Sequence, residues 1–369
     1  MDVLGQLPGA VVEQAHGKAL AEYKAMQVVR PARGLRGARE VELELDGMGE
    51  ETVVVSEEFE VENTRVVLRG TRWSTAAAGA SGSTGAGVAV ANVAGASGAA
   101  AASASAAADQ MDAVLMIHGA CVDRSFYAAA ARELAWRFTV VTYDRRGYSD
   151  SALPGNSENV SAGTEPDAAP VPDCSVATQA EDAVAIIRAL GGGAPMHVVA
   201  HSGGCVIAME LARSHPELVR RMVLDEPLFL DCLPDQSAFR TTTQRIFNAL
   251  SEGKDSLALH LFMPTLGATD PRSRAHDETS PELFRANTSH FIQHEYVALS
   301  SYMPDYETLR GTDLCVLSSE LDHGEQYPQC AREVAGRLSA PLYYVPGTHN
   351  LPTDLPEEFA RFVAGALLL

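Results

Sequence analysis

One stretch constrains this chain more than any other: MHVVA-His201-Ser202-Gly203-Gly204-CVIAMELA, an apolar β-branched run, a turn of small and polar residues, and an apolar run with helical spacing. A strand that becomes a helix in so few residues brings two backbones almost into contact. Ala200 and Gly204, two positions either side of Ser202, are small enough to allow it. The turn would leave the Ser202 hydroxyl exposed at the start of a helix, where free N–H groups and the helix dipole favour developing negative charge. An ordinary Ser-Gly-Gly turn has the same letters, so the functional reading depends on what the rest of the chain supplies.

The same rhythm recurs on both sides. AVLMI (113–117) and FTVVT (138–142) are short continuous apolar runs, as expected of strands buried on both faces. RSFYAAAARELAWR between them repeats Phe126, Ala130, Leu134 and Phe138 on one side. The helix QAEDAVAIIRALGGG, the strand MHVVA, the helix CVIAMELARSHPELV and the strand RRMVLD follow. Strand and helix alternating at this interval predict an α/β fold with a mostly parallel central sheet flanked by helices. Upstream, VELEL (41–45), TVVV (52–55) and TRVVLR (64–69) read as the antiparallel start of that sheet.

Two interruptions divide the chain. Residues 75–110 are almost wholly Ala, Gly, Ser, Thr and Val, a low-complexity stretch expected to be surface chain with no part in chemistry. Residues 228–312 break the rhythm with helical, aromatic-bearing segments, expected to form a cap inserted between two strands. The predicted organisation is therefore 1–74 (an N-terminal helix and the first strands), 75–110 (insertion), 111–227 (first part of the core), 228–312 (cap) and 313–369 (second part of the core).

Composition excludes several classes. The net charge of −20 and the lack of a dense Lys/Arg cluster argue against a nucleic-acid partner. No uninterrupted apolar run reaches membrane-spanning length. The six cysteines are far apart, with no zinc-site spacing, and read as free thiols in a reducing compartment. The first twenty residues lack a basic start and an apolar h-region, so the expected location is cytoplasmic. Arg30, Arg33, Arg36 and Arg39 leave an organelle transit peptide open. Composition does not address oligomeric state.

A serine hydroxyl needs a base, in practice a histidine held by a carboxylate. His349 lies in the turn-rich loop Pro346-Gly347-Thr348-His349-Asn350, after the strand PLYYV and before the last helix, where its side chain can reach back over the sheet edge. Two strand ends offer the acid: Asp322 after LCVLSSEL, and Glu226 in Asp225-Glu226-Pro227 after RRMVL. Spacing does not choose between them, and Asp322 is the marginal preference. An oxyanion hole needs two N–H donors, assigned to Gly203 and to Ala120 in His118-Gly119-Ala120. His118 and His201 are read as ordering or lining groups. Phe262, Met263, Phe284, Phe291, Tyr296, Tyr302 and Met303 either line an apolar pocket or are plain core.

Taken in order, HGACVDRSF, TVVTYDRRGYSDS, VVAHSGG, HPELVRRMVLDEP, SSELD and PGTHNLPTDLPEEFARFV resemble the α/β-hydrolase superfamily from about residue 113 to the end. The YDRRG stretch and Glu226-Pro227 are most similar to small bacterial-type hydrolases and lactonases, some of which use the glutamate at the position of Glu226 as the acid. Ala200 in place of the first Gly of G-x-S-x-G departs from the pattern, as do the insertion after Arg72 and the long loop 151–176. The resemblance implies a serine hydrolase acting on a carboxylic ester or lactone of an apolar small molecule, with no metal or organic cofactor. An acyltransferase, a carbon–carbon bond hydrolase or a non-catalytic ligand-binding protein would share the scaffold.

Overall fold

The computed structural model describes residues 52–63, 66–77, 89–92, 112–153, 173–233, 235–262, 264, 280–320 and 326–368. Among the described residues nine strands form one sheet: β1 (Thr52–Asn63), β2 (Val66–Ala77), β3 (Ala89–Asn92), β4 (Ala113–Ile117), β5 (Thr139–Tyr143), β6 (Met196–His201), β7 (Val219–Asp225), β8 (Leu314–Ser319) and β9 (Leu342–Val345). Their order is β3-β1-β2-β5-β4-β6-β7-β8-β9. From β5 to β9 every pairing is parallel, while β1 and β2 join antiparallel, as β2 does to β5. All parallel strands therefore end at one edge, where Ile117 pairs with Ala200, His201 with Asp225, and Ser319 with Val345.

The continuous apolar runs are explained by what lies on each face. In β4, Val114 and Met116 pack with Phe126, Leu134, Phe138, Phe359 and Phe362, from helices α1 (Ala128–Leu134) and α11 (Pro356–Leu368) and adjoining turns. Leu115 and Ile117 point the other way, toward α2 (Val176–Gly191) and α3 (Gly204–Ser214). A period of two, buried on both sides, leaves no polar position in the run. Burying each such side chain contributes roughly 1.5–3 kcal/mol before the entropy of ordering it is counted.

Between β7 and β8 the described segments include α4 (Ser237–Ser251), α5 (Asp255–Phe262), α6 (Pro281–His290), a π-turn Phe291–Glu295, α7 (Tyr296–Ser300) and α8 (Tyr306–Leu309), and no strand. Phe262, Phe291 and Tyr296 are buried against one another, so in these three the core reading holds; Met303 is 67% exposed, and Met263 lies outside the described residues. After β8, α9 (Gln326–Leu338) leads into β9, and the short α10 (Leu351–Asp354) precedes α11. No helix among the described residues is long and apolar enough to cross a membrane.

Three expectations change. The run at 52–55 and residues 66–69 of the next one are parts of two twelve-residue strands paired along their whole length; VELEL and residues 64–65 lie outside the described residues. The low-complexity stretch is not wholly separate chain, since β2 runs into it and β3 adds to the open edge of β1 in parallel register. Main-chain hydrogen bonds require no large side chains, and composition overlooked that. Finally, Cys232 and Cys330 form a disulfide, whereas Cys121, Cys174, Cys205 and Cys315 are free and buried. Their separation of 98 residues gave no local spacing to read.

Candidate active site

The turn after β6 has the geometry its small residues foretold. Ser202 adopts φ +52°, a left-handed conformation that costs a residue with a Cβ and persists only when its surroundings enforce it. Here the Ser202 N–H donates to the Asp225 carbonyl at 2.9 Å on one side. On the other, a Cβ on Gly204 would lie 2.4 Å from the Ile117 carbonyl oxygen, so α3 can start this close to β4 only on glycine. The loop His118-Gly119-Ala120 closes over the same turn. A Cβ on Gly119 would lie 3.0 Å from Ser202 Cβ, and one on Gly203 would lie 4.0 Å from the Ala120 nitrogen. Ser202, Gly203 and Ala120 are therefore brought together at the carboxyl edge.

His349 arrives from the loop after β9 at the same edge. Its Nδ1 is 2.7 Å from Glu226 Oε2, and Glu226 Oε1 accepts the Ser319 N–H at 2.7 Å. Glu226 is itself held at φ +49°, directly after β7. Burial would raise its carboxyl, but the His349 contact and the Ser319 donor outweigh that and hold it below the ordinary glutamate range. An ionised carboxylate only accepts, so Nδ1 carries the proton and Nε2 keeps its lone pair. The His349 ring is stacked on Tyr327 at 3.6 Å and 19°. Of the two candidate acids, the one beside His349 is Glu226; Asp322 lies outside the described residues.

A second buried imidazole–carboxylate pair lies alongside. His201 Nδ1 is 2.8 Å from Asp225 Oδ2, and its ring packs 4.4 Å from that of His349 and 4.8 Å from Phe126. Burial and the neighbouring Glu226 raise the Asp225 carboxyl, against the pull of His201. His118 orders its loop: the Arg145 N–H donates to Nε2 at 3.1 Å, so Nδ1 carries the proton and donates to the Gly119 carbonyl at 2.9 Å. Burial, then the charge of Arg145, push its pKa to about 3 and keep it neutral.

Three contributors escaped the sequence reading. Tyr327 has no pattern that separates it from core aromatics. Leu299 reaches the turn from the helical segment, with Cδ1 3.5 Å from where a Gly203 Cβ would be. Arg145 is 1% exposed, against every expectation for arginine, and only its place in YDRRG hinted at a role. As for metals, one group of three donors converges among the described residues, Cys174, His290 and Glu295. Its carboxylate pairs with Arg145 at 2.8 Å, and burial pushes the Cys174 thiol up to about 12.

A mostly parallel sheet with a strained serine turn after one central strand and a histidine after the last is the arrangement of the α/β hydrolases. The family model described as "alpha/beta hydrolase fold" matches residues 112–314, and the chain belongs to that family. Among curated proteins it is similar to the uncharacterized hydrolase YraK of Bacillus subtilis, 28% identical over 67% of this chain and 86% of that protein. It also resembles a putative carbamate hydrolase, RutD, of Caulobacter vibrioides, 31% identical over 31% of this chain and 36% of the relative. A solved hydrolase from Pseudomonas aeruginosa PA01 shares the fold with TM-score 0.55 at 16% identity, over 84% of this chain and 97% of its own.

Proposed function

We propose that this hydrolase cleaves a carboxylic ester or lactone of an apolar small molecule through an acyl-enzyme on Ser202. His349 Nε2 takes the Ser202 proton as Oγ attacks the carbonyl carbon, and the N–H groups of Ala120 and Gly203 stabilise the oxyanion. Collapse of the tetrahedral intermediate breaks the C–O bond, and His349 passes its proton to the leaving alkoxide. Water, deprotonated by His349, then attacks the acyl carbonyl, and Ser202 regains its proton as it leaves. Glu226 holds the imidazole in the required tautomer and stabilises the imidazolium.

The observation that carries this reading is the 2.7 Å pair between Glu226 and His349, at the strand edge that also bears the left-handed Ser202. Leu299 over Gly203 supports an apolar acyl group. The carbamate named for one relative is also an acyl carbonyl and would enter the same cycle. A cytoplasmic location stays part of the proposal although the Cys232–Cys330 disulfide is uncommon in a reducing compartment, and cell fractionation checks it.

The test is intact-mass analysis after incubation with a fluorophosphonate and with a panel of short p-nitrophenyl esters and lactones. Wild type should gain one adduct that Ser202→Ala lacks. Labelling that persists in the variant would name another nucleophile, and inertness toward every probe would return the non-catalytic reading.

A further inference from the structure

The Ala120 N–H is one half of a peptide unit whose other half is the Gly119 carbonyl. In a planar trans peptide the two point in opposite directions, so whatever grips the carbonyl oxygen aims the N–H. Two donors grip it. Arg145 Nη2 lies 3.0 Å from the Gly119 oxygen, and His118 Nδ1 lies 2.9 Å from it. The main-chain N–H of residue 145, which Arg145→Met keeps, holds His118 in the tautomer that can donate.

The guanidinium is fixed from the far side. Nη1 donates to Glu295 Oε2 at 2.8 Å and to Gln179 Oε1 at 2.6 Å, and Nη2 also donates to the Tyr148 hydroxyl at 2.8 Å. The Tyr148 hydroxyl donates in turn to Glu295 Oε2 at 2.8 Å, and the guanidinium carbon lies 4.3 Å from the Tyr148 ring centre. Glu295 is fully buried and sits in the π-turn of the helical segment between β7 and β8. Burying an ion pair adds little to stability compared with apolar side chains of similar volume, so stability alone is a weak reason for this one.

We propose that Arg145 is a positioning residue for the oxyanion hole, aiming the Ala120 N–H through the Gly119 carbonyl, and that Glu295 anchors it to the helical segment. This rests on the hydrolase reading above. Two donors on one carbonyl also polarise the peptide and strengthen its N–H as a donor. The segment that covers the site thereby helps set the geometry in which negative charge is stabilised.

The test compares full-length wild type, Arg145→Met and Glu295→Gln in hydrolysis of p-nitrophenyl butyrate and in inhibition by an alkyl trifluoromethyl ketone, whose hemiketal oxygen occupies the oxyanion position. In Arg145→Met, kcat should fall about 10- to 100-fold with KM changed less than about threefold. The inhibition constant of the ketone should rise by the same factor as kcat/KM falls, while the acid limb of the kcat/KM profile, set by His349, stays in place. Glu295→Gln, which keeps the shape and one acceptor, should show the same pattern with a loss of about 3- to 10-fold.

An Arg145→Met enzyme with kcat within about twofold of wild type, or one whose KM alone rises, would overturn the assignment. If that variant does not fold, Glu295→Gln decides, and unchanged kcat and ketone affinity there overturn it. Wild type that reacts with neither the fluorophosphonate nor the ester would instead sink the hydrolase reading, a different result from either.

Discussion

Replacing Glu226 by glutamine tests the orientation of His349 with almost no change of shape. Two of the hydrogen bonds that Glu226 accepts compete for its oxygens: Oε1 takes the Ser319 N–H and Oε2 takes the proton on His349 Nδ1, each at 2.7 Å, while the Ser319 side chain also bonds to the carboxylate. A glutamine amide has one accepting oxygen, so one of the two fails. Pointing NH2 at the Ser319 N–H would set two donors face to face in a dry site, a cost of about 1–3 kcal/mol. The strand end cannot rotate to relieve it. The oxygen therefore goes to Ser319, NH2 faces Nδ1, and the imidazole must accept there and carry its proton on Nε2. That tautomer cannot take the Ser202 proton. An equivalent tautomer reversal in other serine enzymes lowers turnover by about 10⁴, corresponding to about 5.4 kcal/mol at 1.36 kcal/mol per decade.

The assay is kcat for p-nitrophenyl butyrate at neutral pH, with Asp322→Asn measured in parallel and circular dichroism to confirm folding. Glu226→Gln should lose about 10³- to 10⁴-fold, and Asp322→Asn less than about threefold. A folded Glu226→Gln enzyme within tenfold of wild type, or a collapse confined to Asp322→Asn, would refute the reasoning.

Two further outcomes concern stability. Gly204→Ala puts a methyl 2.4 Å from the Ile117 carbonyl oxygen and 2.7 Å from that of His118. It should destabilise the fold by about 3 kcal/mol or more, read as a lowered urea midpoint; a midpoint equal to wild type would mean the strand–helix contact is looser than described. Acid should destabilise the protein before ordinary carboxylates titrate. His118 is held neutral to about 3 when folded but takes a proton near its ordinary value when unfolded, so its contribution is complete above about pH 6.5 and is lost as pH falls toward 3. Burial opposes the Glu295 carboxylate, yet Arg145 and His290 keep it at about 2, which adds loss in the same direction below about pH 4.5. Urea midpoints between about pH 7 and pH 4 should fall less steeply in His118→Asn than in wild type, and parallel slopes would contradict the assignment.

The elements that place the site were legible because they rest on local rules. A serine between small residues, at the junction of a β-branched run and a helical one, has few ways to fold. The position of His349 followed from the order of strands. That Glu226 would meet His349 was not legible, since Glu226 and Asp322 both come after strands that end at the same edge, and which side chain turns toward the imidazole is set by packing. Glu226 adopts a left-handed backbone that nothing in Asp225-Glu226-Pro227 announces. The Cys232–Cys330 bond and the buried Arg145–Glu295 pair join positions 98 and 150 residues apart, and such partners are chosen by tertiary packing rather than by spacing.

The carboxylate beside His349 precedes the long helical segment in the chain instead of following it. Ser202 and Glu226 thus follow adjacent strands in fixed register, His201 opposite Asp225, with no part of that segment between them. Its sequence from α4 to α7 can be shortened, lengthened or exchanged without shifting the distance from Ser202 to Glu226. Substrate choice on this scaffold can then drift independently of the bond-breaking chemistry, with the residue that meets Arg145 as the point where a replacement must still fit.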